Sequence, residues 1–234
     1  RELGERLSLT SANSINVARF LPQAFYYFNA YARLREAGLS GPIVVSVPSG
    51  NFGNLTAGLF AKRMGLPVKR FIAANNRNDI FYHYLQTGNY EPRPSVATIA
   101  NAMDVGDPSN FARILDLYGR SLEAIRADIS AARYDDGQIC RAIAETLERT
   151  GYLLDPHGAC GYLALCEGLR EDETGVFLET AHPAKFRDRV EPVIGRSIEI
   201  PARLAEFMRG KKLSVELPAD FETFKKYLIG ESDI

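Results

Sequence analysis

Residues Val44 to Gly65, reading VVSVPSGNFGNLTAGLFAKRMG, constrain the fold more than any other stretch of the chain. Ile43 to Val47 is a run of mainly β-branched residues, which favours a buried strand. It runs directly into Pro48-Ser49-Gly50-Asn51-Phe52-Gly53-Asn54. The period then changes. Leu55, Leu59, Ala61 and Met64, with small Ala57 and Gly58 between them, fit one face of a helix. Gly65-Leu66-Pro67 ends that helix, and Val68 to Ala74 reads as the next strand. A unit of strand, glycine-rich turn, helix and strand places parallel strands side by side through a right-handed crossover.

Glycine permits positive φ and close backbone approach, and asparagine tolerates the left-handed region. The first N–H groups of a helix lack internal partners and can converge on an anion. Each charge-assisted hydrogen bond to a phosphate contributes about 1.5–3 kcal/mol, and the helix dipole adds about 0.3–1 kcal/mol. The plainer reading is a connecting turn with Asn54 as N-cap. A dinucleotide fingerprint needs G-x-G-x-x-G and an acidic residue after the second strand. Here the spacing is Gly50-x-x-Gly53, and Asn75-Asn76 follow that strand. The Gly-Lys-Ser/Thr of a Walker loop is absent. The turn suits a compact phosphate better than NAD or ATP.

Ser49-Gly50-Asn51-Phe52-Gly53-Asn54, followed by Leu55-Thr56-Ala57-Gly58, resembles the cofactor-phosphate loop of threonine synthases, pyridoxal-phosphate enzymes of fold type II. Residues 12–16 (ANSIN), 66–72 (LPVKRFI), 101–105 (NAMDV) and 180–186 (TAHPAKF) resemble further segments of that family, in the same order. The resemblance implies an α/β fold, an open and mostly parallel sheet with helices on both faces, forming the larger domain of such an enzyme. It implies pyridoxal 5'-phosphate as cofactor, with Ser49, Gly50, Asn51, Phe52, Gly53 and Asn54 around its phosphate and the Thr180 hydroxyl beside its ring nitrogen. It places Asn13, Ser14 and Arg19 on the phosphate of O-phosphohomoserine. The fork of arginine donors and the neutral Asn and Ser donors suit that task. Otherwise Asn13 and Ser14 read as a helix cap, and Arg19 as part of a solvated helix face.

This chemistry requires a lysine that forms a Schiff base with the cofactor, and in the family that lysine lies upstream of everything present here. Lys62 sits inside the helix after the loop, and Lys185 is the nearest substitute. The expectation is a C-terminal portion of the enzyme, inactive alone, whose partner is the N-terminal segment of the same protein. Residues 1–38 read as a remnant of the preceding domain with a connecting helix, and 39–234 as the α/β domain. Asp155 to Ala159 resembles a segment closing around the cofactor ring. His157 and His182 lie nearby by analogy without assigned roles, and His157-x-x-Cys160 has no second pair to complete a metal site. Rival readings are a nucleotide-binding Rossmann-like domain, a phosphate-sensing module, and a fold type II dehydratase, against which the Asn13-Ser14-Arg19 set argues.

The 234 residues, 46% hydrophobic with a net charge of -1, suffice for one sizeable α/β domain and give no electrostatic reason to expect nucleic acid or an anionic membrane. There is no membrane-length apolar run or signal-peptide core, and three cysteines form no disulfide framework, which fits a cytoplasmic setting. Along the chain the pattern predicts a short strand at Leu7–Thr10 and a helix from Ile15 to Ala37, with Pro22 at a kink or first turn. Further helices are expected over Asp79–Leu85, from an Asp107-Pro108 cap to Tyr118, over Ser121–Ala132 and over Gln138–Arg149. An Asp155-capped helix should end near Arg170, a strand should cover Gly175–Thr180, and Phe221–Leu228 should be helical.

Overall fold

The computed structural model describes residues 2–230 and divides into two compact units, residues 13–199 and residues 1–12 with 200–234. The helix that ends before residue 38 contributes Ala24 and Tyr27 to the core of the sheet-bearing unit. In chain order the elements are α1 (Glu2–Arg6), α2 (Val17–Phe20), a 3-10 turn (Leu21–Gln23), α3 (Ala24–Glu36), β1 (Ile43–Pro48), α4 (Gly53–Arg63), β2 (Val68–Asn75) and α5 (Ile80–Thr87). There follow α6 (Phe111–Leu117), α7 (Leu122–Asp128), β3 (Ile129–Arg133), α8 (Asp136–Thr150), α9 (Pro156–Gly168), β4 (Thr174–Phe177) and α10 (Arg187–Ile194), then α11 (Ala202–Met208) and α12 (Phe221–Leu228).

The sheet is parallel throughout, in the order β3-β2-β1-β4. All six residues of β1 are buried, as a central parallel strand requires, which explains its unbroken apolar run. Strand alternation sends Val45, Val47, Phe71 and Ala73 to one face, against Tyr27 of α3, Leu55 and Leu59 of α4, and Ile125 of α7. Val44, Ile72 and Ala74 face the other way, onto Ile139 and Ile143 of α8 and Ala159, Cys160 and Ala164 of α9. Helices thus cover both faces. The chain adds β2 and β3 on one side of β1, then returns to its other side for β4. The gap between the carboxyl ends of β1 and β4 is therefore the topological switch point, where open α/β sheets bind ligands.

Several expected elements differ. Leu7–Thr10 forms no strand. The Ile15–Ala37 helix is split by the 3-10 turn that carries Pro22, which lacks the N–H to continue an α-helix. The helix expected to run from Ser121 to Ala132 stops at Asp128, and Ile129–Arg133 pairs with Phe71–Asn75 as an edge strand. Ser121 caps α7, accepting from the Ala124 N–H. Asp107 does not cap α6; its carboxylate accepts the Tyr90 hydroxyl at 2.7 Å, and Asn110 precedes the helix. Asp155 caps α9 as expected. Strand β4 ends at Phe177, so Thr180 lies beyond it. In the smaller unit, Asp220 caps α12 and Lys225 pairs with Glu2 at 2.6 Å.

Candidate functional site

The turn after β1 opens at the switch point. Its side chains are committed to holding its shape. The Ser49 hydroxyl donates to the Val47 carbonyl at 2.7 Å, and the Asn54 amide donates to the Pro48 carbonyl at 2.8 Å. Asn51 is the hub: its Nδ2 donates to the Ser14 hydroxyl at 2.6 Å, and its Oδ1 accepts from the Ser109 N–H at 2.6 Å and the Ser109 hydroxyl at 2.9 Å. Asn110 donates to the Asn51 carbonyl at 2.9 Å, and Asn75 donates to the Ser49 carbonyl at 3.2 Å. The cap of α4 is Phe52, not Asn54, and Phe52 itself adopts the left-handed conformation at φ 59°. Its buried ring packs 4.9 Å from that of Phe81, which secures the strained backbone. Gly50 is needed for closeness rather than for its φ: a Cβ there would stand 2.8 Å from the Met103 Cα and 2.9 Å from the Ala102 carbonyl oxygen.

With the side chains so occupied, the backbone is left over. Among the described residues, the N–H groups of Gly50, Asn51, Phe52, Gly53 and Asn54 donate to no acceptor. Five successive free donors at the start of an eleven-residue helix, with the helix dipole behind them, are the groups an anion site is built from. Gly50, Asn51 and Asn54 are partly exposed, so the cradle is open to a ligand. The buried side-chain atoms without a partner among the described residues are Ser46 Oγ, Thr56 Oγ1, Asn75 Oδ1 and Glu179 Oε2. They belong to β1, the first turn of α4, the end of β2 and the residues after β4; β1 and the residues after β4 flank the switch point, and β2 lies one strand away from it. An unpartnered buried polar group costs about 1–3 kcal/mol, so such a grouping marks where a polar ligand would repay its desolvation.

The three residues expected on a substrate phosphate differ in what holds them. Ser14 is brought to the loop: it accepts from Asn51, and its Cβ would lie 3.3 Å from a Cβ on Gly53. Asn13 accepts the Ile15 N–H at 3.0 Å, and α2 is capped by Asn16 instead. Arg19 is exposed in the last turn of α2. Arg113, which the sequence did not single out, fastens this segment to α6. It donates to the Ser14 carbonyl at 3.4 Å, to the Ile15 carbonyl and to Asn110 Oδ1 at 2.6 Å, with its guanidinium 4.8 Å from the Phe20 ring. Ser109 and Asn110 were likewise missed. A buried asparagine ahead of an apolar helix was the available sign, but only the fold reveals that Asn51 is its partner.

Across the switch point, Thr180 is exposed three residues past β4. Its neighbour Glu179 accepts the Asp155 N–H at 2.8 Å through one carboxylate oxygen and presses the other against Gly158, where a Cβ would overlap it at 1.8 Å. Burial, and then the charge of Asp155, push the Glu179 carboxyl up to about 8. His157 is buried, with Nδ1 at 2.5 Å from Asp155 Oδ1 and Nε2 accepting the Ala102 N–H at 3.1 Å. Both ring nitrogens are used, so His157 braces the 101–103 turn against α9 and has no lone pair for another ligand. His182 caps the 3-10 turn Pro183–Phe186, accepting from the Ala184 N–H at 3.1 Å. Lys62 is engaged with Asp128 at 2.7 Å at the far end of α4, about 14 Å along the helix from Gly53. Lys69 pairs with Glu173 at 3.0 Å, and Lys185 is exposed in the 3-10 turn.

A nucleotide reading loses its anchor here. Asn76 donates to Thr98, Ala100 and Asp104, and Asn78 to Asn76, Val96 and Asp104. The asparagines after β2 therefore stitch down the 96–104 segment where a ribose-binding carboxylate would stand. Among the described residues no helix is long and apolar enough to cross a membrane.

Comparison with known proteins agrees with this geometry. The family model described as "Pyridoxal-phosphate dependent enzyme" matches residues 13–180, and that described as "Threonine synthase, C-terminal" matches residues 158–228. The chain is 44% identical over 228 residues to a threonine synthase of Haemophilus influenzae, covering 97% of this chain and 53% of that relative. The crystal structure of threonine synthase from Escherichia coli superposes with a TM-score of 0.88 at 45% identity, covering 99% of this chain and 54% of the other. That of PLP-bound threonine synthase from Brucella melitensis superposes with a TM-score of 0.89 at 35% identity, covering 100% and 55%. The chain spans about half the length of the curated relatives it matches. Switch-point cradle, parallel sheet and family match converge: the chain belongs to the pyridoxal-phosphate-dependent enzymes of fold type II, and the relatives it resembles are threonine synthases.

Proposed function

We propose that this chain supplies the cofactor-phosphate cradle and the ring-nitrogen side of a threonine synthase, which converts O-phospho-L-homoserine and water into L-threonine and phosphate. One observation carries the reading: the five free amides of Gly50 to Asn54 at the switch point. They fit the phosphate of pyridoxal phosphate, because a dianion needs converging N–H donors and the loop offers them without a competing carboxylate. Bound there, the cofactor would supply an electron-poor ring that draws electrons from the substrate Cα, which departure of a γ-phosphate and addition of water require.

The chain's own residues bind and orient. Ser49, Asn51 and Asn54 keep the amides aligned through the bonds described above. Thr180 offers the ring nitrogen a neutral hydroxyl, which leaves the ring less electron-withdrawing than a carboxylate would. Ser14, held by Asn51, and Asn13 present neutral donors to the substrate phosphate, and the exposed Arg19 adds a positive charge. The lysine tether and its proton transfers belong to a segment outside this chain. A chain without them is inactive and binds the cofactor weakly, since association alone costs about 4–15 kcal/mol.

The test uses pyridoxine 5'-phosphate, which has no aldehyde and cannot attach to surface lysines. Its binding should be saturable and displaced by inorganic phosphate, and Gly50→Ala should weaken it about tenfold or more, equivalent to about 1.4 kcal/mol. Binding that ignores both phosphate and the Gly50 substitution overturns the cradle. Tighter binding of NAD or ATP at the same loop would favour the nucleotide reading.

A further inference from the structure

His157 is buried and titratable, yet it belongs neither to the cradle nor to the substrate-phosphate set. Its two nitrogens face partners of opposite kind. Nε2 meets the Ala102 N–H at 3.1 Å, and a backbone N–H can only donate, so Nε2 carries a lone pair. Nδ1 lies 2.5 Å from Asp155 Oδ1 and carries the proton. The bond at one nitrogen thus fixes the tautomer at the other. Asp155 is fully buried and donates its own N–H to Glu179, the residue before Thr180. The ring also packs on Phe186, with centroids 4.8 Å apart.

What the imidazole holds is the middle of a turn. Asn101–Met103 is a 3-10 turn fastened on its flanks by Asn76, which donates to the Ala100 carbonyl at 3.3 Å and to Asp104 at 2.8 Å. Between those flanks the Ala102 N–H has His157 as its acceptor. The same turn is the wall against which Gly50 rests: a Cβ on that glycine would stand 2.8 Å from the Met103 Cα and 2.9 Å from the Ala102 carbonyl oxygen. Helix α9 reaches the loop a second time through Gly161, where a Cβ would lie 3.3 Å from Pro48 Cγ. We propose that His157 is a positioning residue for the cradle: as the Nδ1-protonated tautomer set by Asp155, it holds the Ala102 amide and so keeps the 101–103 backbone where Gly50 must lie for its N–H to join the other four. The proposal deepens the threonine synthase reading and rests on it, since the ligand whose affinity His157 sets is the cofactor phosphate.

Two replacements separate the bond from the bulk of the ring. His157→Asn places an amide where Nδ1 stood and keeps a partner for Asp155, but stops short of Ala102. His157→Gln reaches the Nε2 position with a carbonyl oxygen that accepts the Ala102 N–H. Both lose the ring packed on Phe186. Calorimetric titration of the full chain with pyridoxine 5'-phosphate, at a temperature where both variants are folded, should find binding weakened about tenfold in His157→Asn and close to wild type in His157→Gln. Wild-type affinity in His157→Asn overturns the proposal, and so do equal losses in both variants, which assign His157 to packing alone. Hydrogen exchange of the Ala102 amide needs no variant. Coupling is reciprocal, so a ligand that gains from this bond must tighten it, and pyridoxine 5'-phosphate should slow that exchange in the wild-type chain. Exchange that ignores the bound ligand overturns the proposal even where His157→Asn does not fold. A wild-type chain that binds no pyridoxine 5'-phosphate, or binds it without displacement by inorganic phosphate, defeats the cradle reading and this proposal together. Wild-type binding that His157→Asn leaves untouched defeats this proposal alone.

Discussion

Glu179 is a carboxyl group with one oxygen bonded to the Asp155 N–H and the other buried without a partner. The groups that face it are Asp155, Tyr152 and the first turn of α9, none of them cationic. Its proton is therefore held more tightly in the folded chain than in the unfolded one. Such a group contributes its full stability below the unfolded value, near about pH 4.3, and loses it as pH rises through the folded value of about 8. Thermal unfolding between about pH 5 and about pH 9 should show the melting temperature falling toward the alkaline end, and Glu179→Gln should flatten that fall. An unchanged slope in the variant would assign the pH dependence elsewhere. At this same scale Gly50 was legible in the sequence, because close backbone approach is what a glycine beside a strand end is for. The left-handed residue was not legible: Phe52 takes that conformation because its buried ring, which would cost about 3–5 kcal/mol to remove, outweighs a backbone strain of about 1–3 kcal/mol.

Strand β2 is fastened at the sheet edge remote from the cradle. Glu173, whose side chain is fully buried, accepts from Arg70 at 2.5 Å and 3.2 Å and pairs with Lys69 at 3.0 Å. Arg70 also donates to the carbonyl of Gly168 at the end of α9, at 2.7 Å. Because β1 lies between β2 and β4, this cluster bridges the central strand and fixes where β4 enters. The Arg70 guanidinium, with Lys69 and the Arg170 N–H, holds the Glu173 carboxyl down at about 2. A depressed acid contributes its stability above the unfolded value and loses it as pH falls through about 2. Glu173→Gln should cost about 3–5 kcal/mol at neutral pH, read from the urea midpoint, because it leaves Arg70 without its counter-charge. It should also remove the wild-type loss of stability between about pH 4 and about pH 2. A variant as stable as wild type at neutral pH would show that the cluster is not a clamp.

Across the whole molecule the cradle is coupled to the stacking of the helical layer on the sheet. Gly58 lets α4 lie against Tyr27 of α3 and Phe71 of β2; a Cβ there would stand 2.7 Å from both rings. Tyr27 in turn donates its hydroxyl to the Asn54 carbonyl at 2.6 Å, so displacement of α3 pulls on the loop. Gly58→Ala should destabilise the chain by about 1–3 kcal/mol through overpacking and weaken pyridoxine phosphate binding in the same variant. Calorimetric melting combined with ligand titration checks both, and a stability loss with unaltered binding would uncouple the layer from the cradle. None of this coupling was visible in the sequence, where Ile15 to Ala37 read only as a helix.

The unit from β1 to β2 was determined by the sequence alone, because all of its signals are local: a β-branched run, glycine and proline punctuation, and a helical period within 33 residues. The cap at Asp155 was local in the same sense. Strand β3 was not, since Ile-Ser-Ala-Ala-Arg has no strong preference of its own and becomes a strand only by pairing with the edge of β2. Nor was the hub at Asn51, whose partners Ser14, Ser109 and Asn110 are 37 to 59 residues away. Local sequence chose the turn that could bind an anion; the order in which strands joined the sheet placed it at the switch point, and long-range hydrogen bonds consumed its side chains and left its amides free.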